Sequence, residues 1–207
     1  MIYGILLAAG LSSRMGQAKQ LLAWRDRPLV RHAAEMALAS RLAGLVVVLG
    51  AGAEAAREGL AGLSGPVQTV QNDDYASGQA SSLRCGLGAL PATASAAVVL
   101  LADMPLVGPA LINSLITAYE TAPAALAVVP RYGGRRGNPV LLAAGLFAEL
   151  RALEGDTGAR PVLERHADHV IWLDLADPAV VTDIDTPEAY KNVSQGDRGL
   201  GTGDKAS

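Results

Sequence analysis

The hydrophobic positions of this chain fall into two alternating kinds of segment. Apolar runs of strand length occupy residues 2–7, 45–49, 96–102, 125–129 and 140–142, and residues 67–71 and 170–175 are further strand candidates with polar positions among them. Between them, helical spacing appears over residues 27–40, 53–60, 81–90, 109–122, 144–153 and 161–166, and a last helix is expected from Pro187. A strand covered on both faces reads as a near-continuous apolar run, and strands alternating with helices imply a parallel sheet with crossover helices. The pattern predicts an α/β fold. It is a single three-layer domain over residues 1–193, with a mostly parallel, mixed and twisted sheet and helices on both faces. No internal repeat is present. Residues 194–207 are rich in Gly, Lys, Asp and Ser and are expected to form a disordered tail.

Composition narrows this picture in three ways. Half of the 207 residues are hydrophobic but only 4% are aromatic, so Ala, Leu and Val must build the core, which favours helices packed closely on a sheet. The net charge of −3 argues against bulk electrostatic binding of nucleic acid or of an anionic membrane, and the cations that matter are therefore local. The single cysteine, Cys85, cannot form an internal disulfide, which suits a reducing cytoplasm. No basic segment precedes the first apolar run, and that run breaks at Gly10, so neither a signal peptide nor a membrane span is expected there.

The chemistry starts where the first run ends. Residues 6–22 read LLAAGLSSRMGQAKQLL. Leu7 closes the strand, the small residues Ala8, Ala9 and Gly10 let a ligand approach the backbone, and the hydroxyls of Ser12 and Ser13 follow. Arg14 adds a guanidinium fork and Lys19 an ammonium. Ligands of open α/β sheets bind just beyond the carboxyl ends of such strands, and this donor set suits several phosphates at once. It reads as a cradle for a nucleoside triphosphate, with Arg14 and Lys19 stabilising the charge that builds on the phosphates. It is neither of two better-known loops. Gly16 comes one place late for a Walker loop and is followed by Gln17, and Ser12 replaces the second glycine of a dinucleotide loop.

Four later segments look toward the same crevice. Asp103 directly follows the 96–102 run, where a hard carboxylate suits Mg²⁺ bridging phosphates. Asp185, in the sequence TDIDTPEAY, shares a face with Asp183 and would be the second metal carboxylate, or else part of a helix start at Thr186. The polar stretch NDDYASGQASSL carries Asn72, Gly78, Ser81 and Ser82, whose hydroxyls either face an anion or cap a helix. The turn PRYGGRRGN, with Arg136 and Asn138, either receives a second anionic substrate or forms a solvated hairpin tip. A further polar segment, GDTGAR, spans residues 155–160, and His166 and His169 lack the companions of a zinc site. With an acceptor that is already a phosphate, no general base is needed, and catalysis is positioning plus charge neutralisation at the α-phosphate.

This ordered set of motifs resembles one family. LAAGLSSRMGQAKQLL is similar to the signature loop of nucleotidyltransferases with the glycosyltransferase-A-like, nucleotide-diphospho-sugar transferase fold. NDDYASGQASSLRCGL, LLADMPLV, the R-G-N-P-V turn, GDTGAR and DIDTPEAY together resemble the molybdenum cofactor cytidylyltransferase branch. The resemblance implies transfer of CMP from CTP to molybdenum-bound molybdopterin with release of pyrophosphate, and a molybdoenzyme as receiver of the product. It implies nucleotide contacts from Ala8, Ala9, Gly10, Arg14 and Lys19, and Mg²⁺ held by Asp103 and Asp185. The acceptor falls to the 72–82 loop and the 131–138 turn, with the 156–160 segment as a further candidate wall. The Ala-Ala-Gly loop resembles the cytidine branch, because guanine-using relatives usually carry a second glycine there. Asn138 departs from the family's more usual histidine and cannot become cationic. Rival readings are another phosphate acceptor, GTP as donor, a nicotinamide-dependent oxidoreductase, and a non-catalytic cofactor carrier.

Overall fold

The computed structural model describes residues 1–10 and 19–198, with side chains as far as residue 194. Chain order gives β1 (Ile2–Ala8), β2 (Ala23–Trp24), β3 (Arg27–Pro28), α1 (Leu29–Leu38), β4 (Leu45–Leu49), α2 (Ala53–Leu60) and β5 (Val67–Gln71). Next come α3 (Gln79–Ala89), β6 (Ala96–Leu101), α4 (Pro109–Glu120), β7 (Ala127–Tyr132), β8 (Arg135–Arg136) and β9 (Val140–Ala143). The chain continues through α5 (Phe147–Arg151), α6 (Arg160–Arg165), β10 (Val170–Asp174) and α7 (Pro187–Arg198).

Seven strands form the path β10-β7-β9-β6-β1-β4-β5, with β8 paired to β7. β1 lies parallel to both β4 and β6, β4 parallel to β5, and β7 parallel to β10. β9 runs antiparallel to both β6 and β7, which makes the sheet mixed as expected. The apolar runs work in both directions because alternate residues face opposite layers. Leu6, Val47, Val98 and Leu100 pack with α1, α2 and α4 on one face. Ile5, Val48, Ala97 and Val99 pack with α3, α5 and α6 on the other. Leu7 stands opposite Leu101 in the β1–β6 register, so the central strands end together and open one crevice at their carboxyl edge.

Several boundaries differ from the sequence reading. Arg27 and Pro28 do not begin a helix but close a two-residue hairpin with β2, turned by Arg25 and Asp26 at φ 48° and 65°. β7 starts two residues later than the apolar run and continues into the expected turn. What turns there is the pair Gly133 and Gly134, at φ 55° and 77°, between β7 and β8. α7 carries on past Val193 to Arg198, into the segment expected to be tail. Thr186 opens that helix, its Oγ1 accepting the Ala189 N–H at 3.1 Å. Among the described residues no helix is long and apolar enough to cross a membrane.

Candidate active site

Two adjoining cavities open at the carboxyl edge of β1 and β6. The larger, about 640 Å³, has Ala8, Ala9 and Gly10 on one side and Asp103 and Asp185 across from Lys19. Gly78, Ser82 and Asp156 close its far wall. The smaller, about 340 Å³, has an apolar floor of Leu83, Val99, Val140 and Leu142, with Arg136, Asn138 and Arg160 at its rim.

Lys19 is the electrostatic centre. Its Nζ donates to Asp103 Oδ2 at 2.8 Å and to Asp185 Oδ1 at 2.5 Å. Two carboxylates 82 positions apart in the chain therefore share one ammonium. What draws them together is backbone: the Ile184 N–H donates to the Asp103 carbonyl at 2.9 Å, and Ile184 is fully buried with Trp24 and Leu29. Burial works against the charge on Lys19, but Asp103 and then Asp185 outweigh it and hold the ammonium above its ordinary 10.5. Asp183 flanks the pair. Loss of water and the neighbouring Asp185 and Asp103 charges push its carboxyl up, with its own backbone and Lys19 opposing.

The carboxylate pair fits a hard divalent cation. Among the described residues, Asp103 Oδ1 is buried without a hydrogen-bond partner, an unsatisfied oxygen on a residue that lines the cavity. Among the described residues no cluster of three or more His, Cys, Asp or Glu side chains is disposed to cage a metal. One or two carboxylates completed by substrate phosphates and water is the usual arrangement for Mg²⁺.

The expected acceptor residues divide into two groups. Ser82, Gly78, Arg136 and Asn138 line the cavities. Asn72 and Ser81 line neither, and this corrects the sequence reading. Asn72 is buried, and its Nδ2 donates to Ser81 Oγ at 2.8 Å and Ser82 Oγ at 3.0 Å, while its Oδ1 accepts the Asp74 N–H at 3.1 Å. Ser81 Oγ faces the carbonyls of Asp74 and Gly78 at 2.9 and 2.8 Å. A buried polar group must find partners, and these two find them in the loop, which they hold in shape behind Ser82. Ser12, Ser13 and Arg14 lie outside the described residues, so the cradle is seen here through Leu7 to Gly10 and Lys19.

The structure also separates the three turn arginines. Arg131 forms a bidentate pair with Asp174, at 2.9 and 2.7 Å, and lies over Trp172. Arg135 is exposed in the hairpin. Arg136 alone lines the smaller cavity, where loss of water and the nearby Arg160 guanidinium lower its proton affinity and Glu164 partly compensates. Residues missed from the sequence include Gln20, whose buried Nε2 donates to the Ala51 carbonyl at 2.7 Å. Gln20 carries no local signal, because its partner is distant in sequence. Asp156, in the polar 155–160 segment singled out in the sequence, lines the larger cavity, and its Oδ1 accepts the first N–H of α3 at 3.2 Å.

Residues 4–170 match the family described as MobA-like NTP transferase domain. The chain belongs to that family. Among its relatives, this MobA-like chain is 34% identical over 195 residues to Nicotine blue oxidoreductase of Paenarthrobacter nicotinovorans, covering 90% of this chain and 93% of the relative. It is 27% identical over 187 residues to Molybdenum cofactor cytidylyltransferase of Escherichia coli K12, covering 90% and 92%. The crystal structure of Rv0371c from Mycobacterium tuberculosis H37Rv superimposes with a TM-score of 0.80 at 30% identity, covering 94% of this chain and 98% of that one. Rv0371c has also been solved in complex with manganese, with a TM-score of 0.76 at the same identity and coverage. By family, the chain is a nucleotidyltransferase.

Proposed function

We propose that the chain transfers CMP from CTP to molybdenum-bound molybdopterin, forming the cytosine dinucleotide and pyrophosphate. The observation that carries this reading is the shared ammonium. Asp103 and Asp185 converge on Lys19 at the mouth of a cavity of about 640 Å³, and a second cavity with two guanidiniums at its rim opens beside it. The first suits a triphosphate and the second an acceptor with a flat apolar body and an anionic end.

In this reading a phosphate oxygen of the acceptor attacks the α-phosphorus as the bond to the bridging oxygen breaks, and pyrophosphate leaves. The acceptor is already ionised, so no side chain has to remove a proton. Lys19, together with Arg14, neutralises the phosphates. Asp103 and Asp185 would hold Mg²⁺ or Mn²⁺, which supplies charge stabilisation on the transferred and leaving oxygens. Arg136 and Asn138 hold the acceptor, and Ser82 keeps a hydroxyl proton to donate into the nucleotide cavity while accepting from Asn72. The Ala8-Ala9-Gly10 form of the loop supports cytidine over guanine.

Calorimetric titration with CTP, GTP, ATP and NADPH, each with and without Mg²⁺, tests the proposal. Metal-dependent preference for CTP is the expected result, and preference for GTP would move the donor to guanine. The 34% identity to Nicotine blue oxidoreductase favours a second reading, an oxidoreductase. NADPH binding with no triphosphate binding would select it over transfer.

A further inference from the structure

The two cavities share three lining residues: Leu7, Leu101 and Gln79. Leu7 and Leu101 are paired neighbours at the ends of β1 and β6, and both offer hydrocarbon. Gln79 is thus the polar side chain at the junction among the described residues. An in-line transfer from a donor in one cavity to an acceptor in the other must pass through this junction, because the attacking oxygen has to come within about 3–3.5 Å of the α-phosphorus, opposite the leaving oxygen.

The surroundings fix Gln79 in place. It is the first residue of α3, an 11-residue helix. The preceding Gly78 has φ 114°, and a Cβ there would stand 2.5 Å from the Gly155 carbonyl oxygen, so only glycine allows the 78 and 155 backbones to meet. The Gln79 N–H donates to Asp156 Oδ1 at 3.2 Å and the Ala80 N–H to the Gly155 carbonyl at 3.2 Å. The backbone is held on both sides, while the carboxamide extends over Gly158. A Cβ at residue 158 would lie 2.7 Å from Gln79 Oε1, so glycine at 158 leaves the space that the amide occupies.

Resting on the transfer reading above, we propose that Gln79 is a substrate-orienting residue of the reaction. Its Nε2 carries two N–H donors at the junction, and by donating to the phosphates it aligns the acceptor phosphate with the α-phosphate. It forms no covalent bond to the substrate and moves no proton. Its contribution is geometric and falls on turnover rather than on nucleotide binding.

The structure supplies two independent ways to remove that amide. Gln79→Ala deletes it, and Gly158→Ala displaces it with one methyl group against the end of a flexible side chain. The assay is pyrophosphate release with CTP, Mg²⁺ and molybdenum-bound molybdopterin, alongside calorimetric CTP affinity and the thermal midpoint of each protein. Each single variant is expected to lose kcat by on the order of tenfold to a hundredfold, with CTP affinity and midpoint unchanged. The double variant should be no slower than Gln79→Ala, since both changes remove the same group. Gln79→Glu keeps the shape but places a negative charge beside the phosphates, and should be slower than Gln79→Ala. Wild-type kcat in Gln79→Ala overturns the proposal, as do losses that multiply in the double variant, which would mean the residue-158 methyl obstructs the acceptor directly. Wild-type protein that releases no pyrophosphate at all removes the transfer reading, and this proposal with it. That result is distinguishable because it appears before any substitution is made.

Discussion

Lys19 stands between two carboxylates at the mouth of the larger cavity. Its ammonium compensates both, which leaves Asp103 Oδ1, among the described residues, as the unsatisfied oxygen of the set. Asp103→Asn should therefore reduce metal-dependent pyrophosphate release by about a hundredfold or more, with a thermal midpoint within a few degrees of wild type. Turnover at the wild-type level would remove Asp103 from the site. Asn72 should behave in the opposite way. Asn72→Ala strips partners from Ser81, Ser82 and the Asp74 N–H, and should cost about 1–3 kcal/mol in urea denaturation before any assay of the acceptor is made. Asp103 and Lys19 were legible in sequence because each sits at a strand end or in a loop of recognisable chemistry. Asn72 and Ser81 have the right residue types and the wrong direction. Polar residues in a flexible stretch give no sign of whether they turn outward to a ligand or inward to one another. Asn138 tests the acceptor side: for Asn138→His, acceptor affinity at fixed CTP should rise, because an imidazolium adds charge beside the smaller cavity.

The strands β4 and β5 and the helix α2 coincide with the segments read from the sequence, because each is bounded by Gly or by a clear change of period. The β2–β3 hairpin gave no such signal. Its strands are two residues long, and its turn uses Arg25 and Asp26 in left-handed geometry where Asn-Gly is the common choice. The charged contacts between α5 and the end of α6 were equally silent, since their partners are distant in sequence. Glu149 on α5 accepts from Arg165 at 2.9 Å and contacts His166 Nε2 at 2.6 Å. Arg165 and then His166 hold the Glu149 carboxyl below its ordinary 4.5. A depressed carboxyl contributes stability above its unfolded value, and that contribution disappears as pH falls through the folded one. Glu149→Gln should accordingly be less stable than wild type at neutral pH, with the two denaturation curves converging once the pH is well below 4.5.

At the scale of the molecule, the sheet, its two helical layers and the crevice at its carboxyl edge were legible, and the strand order was not. Order along the chain does not say that β9 runs antiparallel between β6 and β7, or that the segment after β10 returns to β6. A ligand held by parts so far apart should stabilise the whole protein. CTP with Mg²⁺ at about a hundred times its dissociation constant should add roughly 2.7 kcal/mol, seen as a raised thermal midpoint, and EDTA should abolish the gain. The bond from the Ile184 N–H to the Asp103 carbonyl has a consequence in time as well as in space. A ribosome delivers the chain from its N-terminus at about 5–20 residues per second, so Asp103 is released several seconds before Asp185. Every strand of the sheet precedes Ile184 in the sequence. A chain interrupted just before Ile184 would possess the complete sheet and lack the second carboxylate. The second carboxylate is therefore added only after every strand of the sheet that carries the first has left the ribosome.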